Sequence, residues 1–156
     1  MLYDVTPVTS EHQTDCGATC AKMLLAYYGI DVPLEQLREE CHTTIAGCTG
    51  TDLKRTLEAH GLTIHAYNLD AADIYTSDRP GIILWKHGHF VVYCGMDQGK
   101  IVIANPDLGR FHVPKSTFEA FFTNIALFNG EPQEIEVDDE ITADEFAEIL
   151  MGGAGV

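Results

Sequence analysis

The run Cys16-Gly17-Ala18-Thr19-Cys20-Ala21-Lys22-Met23-Leu24-Leu25-Ala26-Tyr27-Tyr28 follows Thr14-Asp15, precedes Gly29 and carries a single charge, Lys22. Thr14-Asp15 reads as a helix N-cap and Gly29 as the glycine that ends a helix. A helix so apolar on every side belongs in the middle of a domain, with other elements wrapped around it. It also sets a thiol at its mouth. A sulfur in the first turn meets the positive end of the helix dipole and amide donors that lack intrahelical partners. Those features favour a thiolate and can hold an oxyanion. A buried structural cysteine is the ordinary alternative. Gly17, which would let a substrate backbone come close, favours a reactive one. Cys20, one turn further in, reads as core.

Downstream of this helix the pattern stays helical for a while and then changes period. Pro33 opens a helix over Leu34–Cys41, with proline as its first residue. After a Gly/Thr loop through Cys48-Thr49-Gly50, a third helix starts at Thr51 or Asp52, presents Leu53 and Leu57 on one face and stops at Gly61. Leu62–Tyr67 alternates as a strand does, and residues 70–77 fit a short helix. Ile82–Trp85, His89–Cys94, Ile101–Ala104, Phe111–Val113 and Ile125–Phe128 are strand candidates separated by turns at 97–100 and 107–110. Ser116 with Glu119 forms a capping box for a helix running to Phe122. Helices first and antiparallel strands second make the fold α+β, a helical N-terminal half packed on a C-terminal sheet.

The chain has 156 residues and a net charge of −15. Residues 1–130 hold 15 acids and 9 bases, while residues 131–156 hold 9 acids and no base. Three segments follow: a domain over 1–130, an acidic linker over 131–140, and an amphipathic tail over 141–156 with a glycine-rich end. Such a balance excludes nucleic acid as a partner and argues against anionic membrane surfaces. Five cysteines, an odd number without framework spacing, read as free thiols in a reducing cytosol. The opening Met1-Leu2-Tyr3-Asp4 is not a signal peptide, and no run approaches the ~18 apolar residues of a membrane span.

Cys16 needs a base. His87 and His89 would share one side of an extended segment, and His89 is preferred because it begins the apolar strand. A metal site from His-x-His and the cysteines is disfavoured, since no C-x-x-C pair exists and the spacings do not suit zinc. No cofactor is expected. A third group should orient the imidazole. Asn105 follows the strand that pairs back along the His89 strand, and its amide oxygen can accept from the ring. Asp107 is the rival, and a simple Asn-Pro-Asp turn is the plain alternative.

As an ordered set these pieces resemble the bacteriocin-processing, double-glycine cysteine peptidases, which form the N-terminal peptidase domain of peptide-exporting ABC transporters. The matching stretches are Gln13–Ala18, Tyr27-Tyr28-Gly29, Val32–Leu37, Thr51-Asp52-Leu53, His89–Val92 and Ala104-Asn105-Pro106, within residues 5–128. The resemblance implies a papain-like fold and a triad of Cys16, His89 and Asn105. The oxyanion would be held by the Cys16 amide with Gln13 or Ser10, and Gly17 and His87 would face the substrate. Two positions depart from the family. Ser10 stands where a glutamine donor is usual, and loss of such a donor typically costs roughly 3–4 kcal/mol in the barrier. Asn105 replaces the usual aspartate, which a Cys-His-Asn triad tolerates.

The implied reaction is removal of a precursor's leader peptide after Gly-Gly or Gly-Ala. The leader, an amphipathic helix, would dock in an apolar groove. Because the domain is acidic, apolar contact rather than long-range attraction must drive docking. The tail is itself similar to such a leader: Ile141, Glu145, Phe146, Ile149 and Leu150 have the character of recognition residues, and Gly152-Gly153 that of a cleavage pair. It is either a segment that occupies the groove of its own or a neighbouring molecule, or an unrelated acidic helix. The competing function is a binding module that grips a leader without cutting because Ser10 weakens the oxyanion hole. A papain-like hydrolase or transglutaminase-like enzyme with another acyl substrate shares the same dyad. A transporter membrane domain is the further partner implied, with the domain on the cytoplasmic side.

Overall fold

The structure, a computed structural model, describes residues 1–12, 14–44 and 47–132. Gln13 therefore lies outside the described residues. So do nearly all of the linker and the whole tail, with Ile141, Glu145, Phe146, Ile149, Leu150, Gly152 and Gly153.

Helix α1, Cys16–Tyr27, is the centre of the molecule. Its residues Cys20, Ala21, Leu24 and Leu25 are fully buried, as a helix with one charge in twelve residues requires. That one charge stays wet at its tip: the Lys22 stem is partly covered, and Nζ donates to the Val32 carbonyl at 2.8 Å. The chain leaves the helix through Gly29, whose φ of +82° only glycine adopts without strain.

Helices α2, Leu34–Glu40, and α3, Gly50–Ala59, pack on α1. Two starts differ from the sequence pattern. Pro33 occupies the cap position and Leu34 is the first helical residue. Helix α3 begins at Gly50, because the Thr49 side chain accepts the Asp52 amide at 3.0 Å and so caps earlier than Thr51 or Asp52 would.

The strands are β1 (Ile64–Asn68), β2 (Gly81–Trp85), β3 (His89–Asp97), β4 (Lys100–Asn105), β5 (Gly109–Val113) and β6 (Phe122–Asn129). Two short helices, α4 (Ala71–Tyr75) and α5 (Lys115–Phe121), connect them. All pairings are antiparallel, in the order β1-β6-β2-β3-β4-β5. The last strand is thus inserted between the first two. The Ser116–Glu119 capping box does not form: Pro114 takes the cap position with no side-chain bond, and Glu119 accepts the Tyr75 hydroxyl at 3.0 Å instead.

The N-terminal segment is less polar in its surroundings than in its composition. Leu2 bridges Gly95, the Tyr3 amide donates to the Cys94 carbonyl at 2.8 Å, and Tyr3 and Val5 are buried. This strap brings the chain along β3 toward the start of α1. Helix α1 packs against β3, so the helix mouth and the strand start meet at one end of the core. Among the described residues no helix is long and apolar enough to cross a membrane.

Candidate active site

Cys16 is the first residue of α1 and is half-buried. The His89 ring, on the first residue of β3, lies close enough that the thiol is the largest influence on its pKa. His89 Nε2 lies 3.0 Å from Asn105 Oδ1, at the end of β4. The Asp107 amide also donates to Oδ1, at 2.9 Å, so that atom is an acceptor and fixes the way the amide faces. Nε2 must then carry the proton it shares with Asn105, and Nδ1 is the ring nitrogen left for the thiol. Asn105 is buried, 5% exposed, which protects this bond from water.

The His89 pKa is raised above its ordinary value. The Cys16 thiol is the largest cause, partial burial opposes it, and the bond to Asn105 adds to it. Both neighbours favour the charged ring, as a thiolate–imidazolium pair requires. Asp107 Oδ2 is 3.8 Å from Nε2 on an exposed side chain. Of the two candidate orienters, Asn105 makes the shorter contact with the ring.

The chain brings Cys16, His89 and Asn105 together because β3 and β4 form a hairpin beside α1. Of the other expected site residues, His87 sits two residues before the base in the β2–β3 turn, exposed, with φ +69°. Ser10 is close, but both its polar groups are engaged. Its amide donates to the Pro106 carbonyl at 2.8 Å, and its hydroxyl lies 2.9 Å from Thr19 Oγ1. Gly17 has a reason different from the expected one. A Cβ there would collide with Cys48 Sγ, with the Phe90 ring 3.7 Å away, so the space above Gly17 holds protein rather than substrate. Cys20 is core, as expected: burial holds its thiol well above the ordinary value.

Three neighbours of the dyad escape sequence reading. Cys48 packs against Gly17, and the neighbouring Cys41 thiol together with burial holds the Cys48 pKa above its ordinary value. Asp15 holds the helix cap position, but its carboxylate makes no capping bond. It turns to Arg38 Nε in α2 at 2.6 Å and is completely buried. Arg38 is the only base in α2, which was the available signal.

A sequence model of the Peptidase C39 family matches residues 4–134. The chain belongs to the Peptidase C39 family. A solved double glycine motif protease from an AMS/PCAT transporter, in complex with the leader peptide, superposes on this C39 domain with a TM-score of 0.79 and 30% identity. That match covers 81% of this chain and 91% of the other. The Streptococcus pneumoniae transport/processing ATP-binding protein ComA is 33% identical over 127 residues, 74% of this chain and 17% of that protein. The probable microcin-H47 secretion/processing ATP-binding protein MchF of Escherichia coli is 26% identical over 136 residues, 81% of this chain and 20% of that protein. This C39 domain thus spans about a fifth of the curated relatives it matches. The α+β architecture is that of the papain-like cysteine peptidases.

Proposed function

We propose that this domain is a cysteine endopeptidase that removes the leader of a ribosomally made precursor after a Gly-Gly or Gly-Ala pair. The observation that carries the reading is the placement of Cys16 at a helix N-terminus beside the His89 ring, whose Nε2 is held by Asn105 Oδ1 at 3.0 Å. His89 Nδ1 takes the thiol proton, and the sulfur attacks the scissile carbonyl. The oxyanion that forms is held by the Cys16 amide together with Gln13 or Ser10. As the intermediate collapses, His89 returns its proton to the leaving amine, and a thioester remains on Cys16. Water, deprotonated by the same ring, hydrolyses it. Asn105 keeps the ring in one orientation throughout. His87, exposed at the turn, is the side chain offered to substrate.

The partner is a precursor peptide with an amphipathic leader, and a transporter membrane domain at the cytoplasmic face is the assembly that the relatives favour. The tail residues Ile141, Glu145, Phe146, Ile149 and Leu150, ahead of Gly152-Gly153, are read as a leader-like segment for this or a neighbouring molecule.

Incubation with a panel of double-glycine precursor peptides, followed by mass spectrometry, tests the activity. Cleavage after the glycine pair by the wild-type chain and none by Cys16→Ala is the expected result; an uncut panel overturns it. Mass analysis of the chain itself tests the tail: loss of residues after Gly152 or Gly153 only when Cys16 is present marks self-processing.

The engaged Ser10 hydroxyl favours a second reading, a domain that grips the leader without cutting. Iodoacetamide separates the two. Burial pushes the Cys94 thiol up to about 12, so Cys94 is the unreactive reference. Fast labelling of Cys16 near neutral pH, abolished by His89→Ala, supports catalysis. A Cys16 as slow as Cys94 supports binding alone.

A further inference from the structure

Asp15 is a fully buried carboxylate directly before the nucleophile, and it does not cap the helix it precedes. One oxygen takes the Arg38 Nε at 2.6 Å; the other takes the His12 amide at 3.1 Å. The Asp15 amide returns a bond to the His12 carbonyl, also at 3.1 Å, and the Asp15 carbonyl starts the helix by accepting the Thr19 amide at 2.8 Å. Asp15 thus ties the 12–15 turn at one end and α1 at the other, and Arg38 pins both to α2. Ser10 completes the arrangement, with its amide on Pro106, next to Asn105, and its hydroxyl on Thr19.

An ion pair with its carboxylate buried loses much of its attraction to desolvation, but it does specify one geometry. The geometry specified here is that of Ser10, His12 and Asp15, the residues of the segment ahead of the nucleophile that these bonds tie down. We propose that Asp15 and Arg38 are positioning residues for the oxyanion side of the site: they hold this segment where the scissile carbonyl oxygen must seat. The proposal rests on the hydrolytic reading of Cys16.

Two reagents separate this role from a structural one. The peptide aldehyde acetyl-glycyl-glycinal reacts reversibly: the sulfur adds to the aldehyde carbon, the carbonyl electron pair moves to oxygen, and that oxygen takes up the proton. Its affinity depends on the oxyanion side. Iodoacetamide needs only the thiolate, since the sulfur displaces iodide and no oxyanion forms. Aldehyde binding is read in the full chain as protection of Cys16 from iodoacetamide. Asp15→Asn should weaken it at least tenfold and Arg38→Lys, which keeps the charge and loses the short Nε contact, at least fivefold. The iodoacetamide rate without aldehyde should stay within threefold of wild type in both. Unchanged aldehyde affinity in either variant with Cys94 still protected, or a parallel loss with both reagents, overturns the proposal. Exposure of Cys94 in both variants overturns it too, since the pair would then be holding the fold. A wild-type Cys16 indifferent to the aldehyde ends the hydrolytic reading itself.

Discussion

Gly17 and His89 each carry a prediction at the level of a single residue. Any Cβ at 17 collides with Cys48 Sγ. Gly17→Ala should therefore destabilise the domain by about 1–3 kcal/mol through overpacking. Cys48→Ala removes the sulfur and leaves its Cβ 4.0 Å from the new methyl. The double variant should recover much of the loss, with a coupling above about 1 kcal/mol in urea unfolding; purely additive costs would contradict the contact. For His89, Cys16→Ala removes the largest cause of its raised pKa and Asn105→Ala removes a smaller one. In an NMR titration both should lower the His89 midpoint, Cys16→Ala more than Asn105→Ala. The reverse order would mean that the thiol does not hold the ring. The stability sign follows from the direction of the shift. A folded-state pKa raised above the ordinary value of 6.5 contributes stability that is complete below 6.5 and is lost as pH rises through the folded value. Wild-type stability should fall over that window by more than that of Cys16→Ala.

Between β2 and β3 the chain turns through Lys86–Gly88, and the turn aims the base. Trp85 pairs with His89 across the hairpin, so the first residue of β3 is locked to the last of β2. The turn between them places His87 at φ +69° and Gly88 at +70°. For a residue with a Cβ that conformation costs roughly 1–2 kcal/mol. His87→Gly should raise stability by about 0.5–1 kcal/mol after the added chain entropy of glycine is counted. An unchanged or lower urea midpoint would show that the imidazole makes a compensating contact. The same pairing explains why His89 reads clearly from sequence: it opens an apolar run that had to be a strand. His87, two residues earlier, belongs to no periodic element, and only its backbone sign separates turn from strand. The register of β3 on β4, which shifts between Tyr93 and Met96, in turn sets Asn105 within hydrogen-bond reach of His89.

At the scale of the molecule, every helix and strand described lies between Cys16 and Asn129, while residues 131–156 carry 9 of the 24 acids. Removing the residues after Pro132 tests whether the leader-like tail seats on its own domain: a urea midpoint equal to that of the full chain, within the about 10–15% uncertainty of such measurements, would leave it to a neighbouring molecule. A clear drop would mean that the acidic segment packs on the domain; a rise would mean that its charge repels the fold. The insertion of β6 between β1 and β2 carries a similar lesson about distance along the chain. Its strand character was legible in Ile125–Phe128, but its neighbours were not, because pairing depends on which edges remain open after the rest has packed.

By itself, the sequence determined what local chemistry dictates. The apolar run from Cys16 to Tyr28 had to be a central helix with a thiol at its mouth. The change from helical to alternating period had to give helices and then strands, and Cys16, His89 and Asn105 stood out in it as the candidates for a dyad and its orienter. Only the tertiary structure decided which groups answer one another across the chain. It spent Asp15 on Arg38 rather than on the helix cap, tied Ser10 to Thr19 and Pro106, and filled the space over Gly17 with Cys48. The physical reason is the same in each case. A short polar side chain has several local bonds open to it at similar cost, and burial against a distant segment selects one of them.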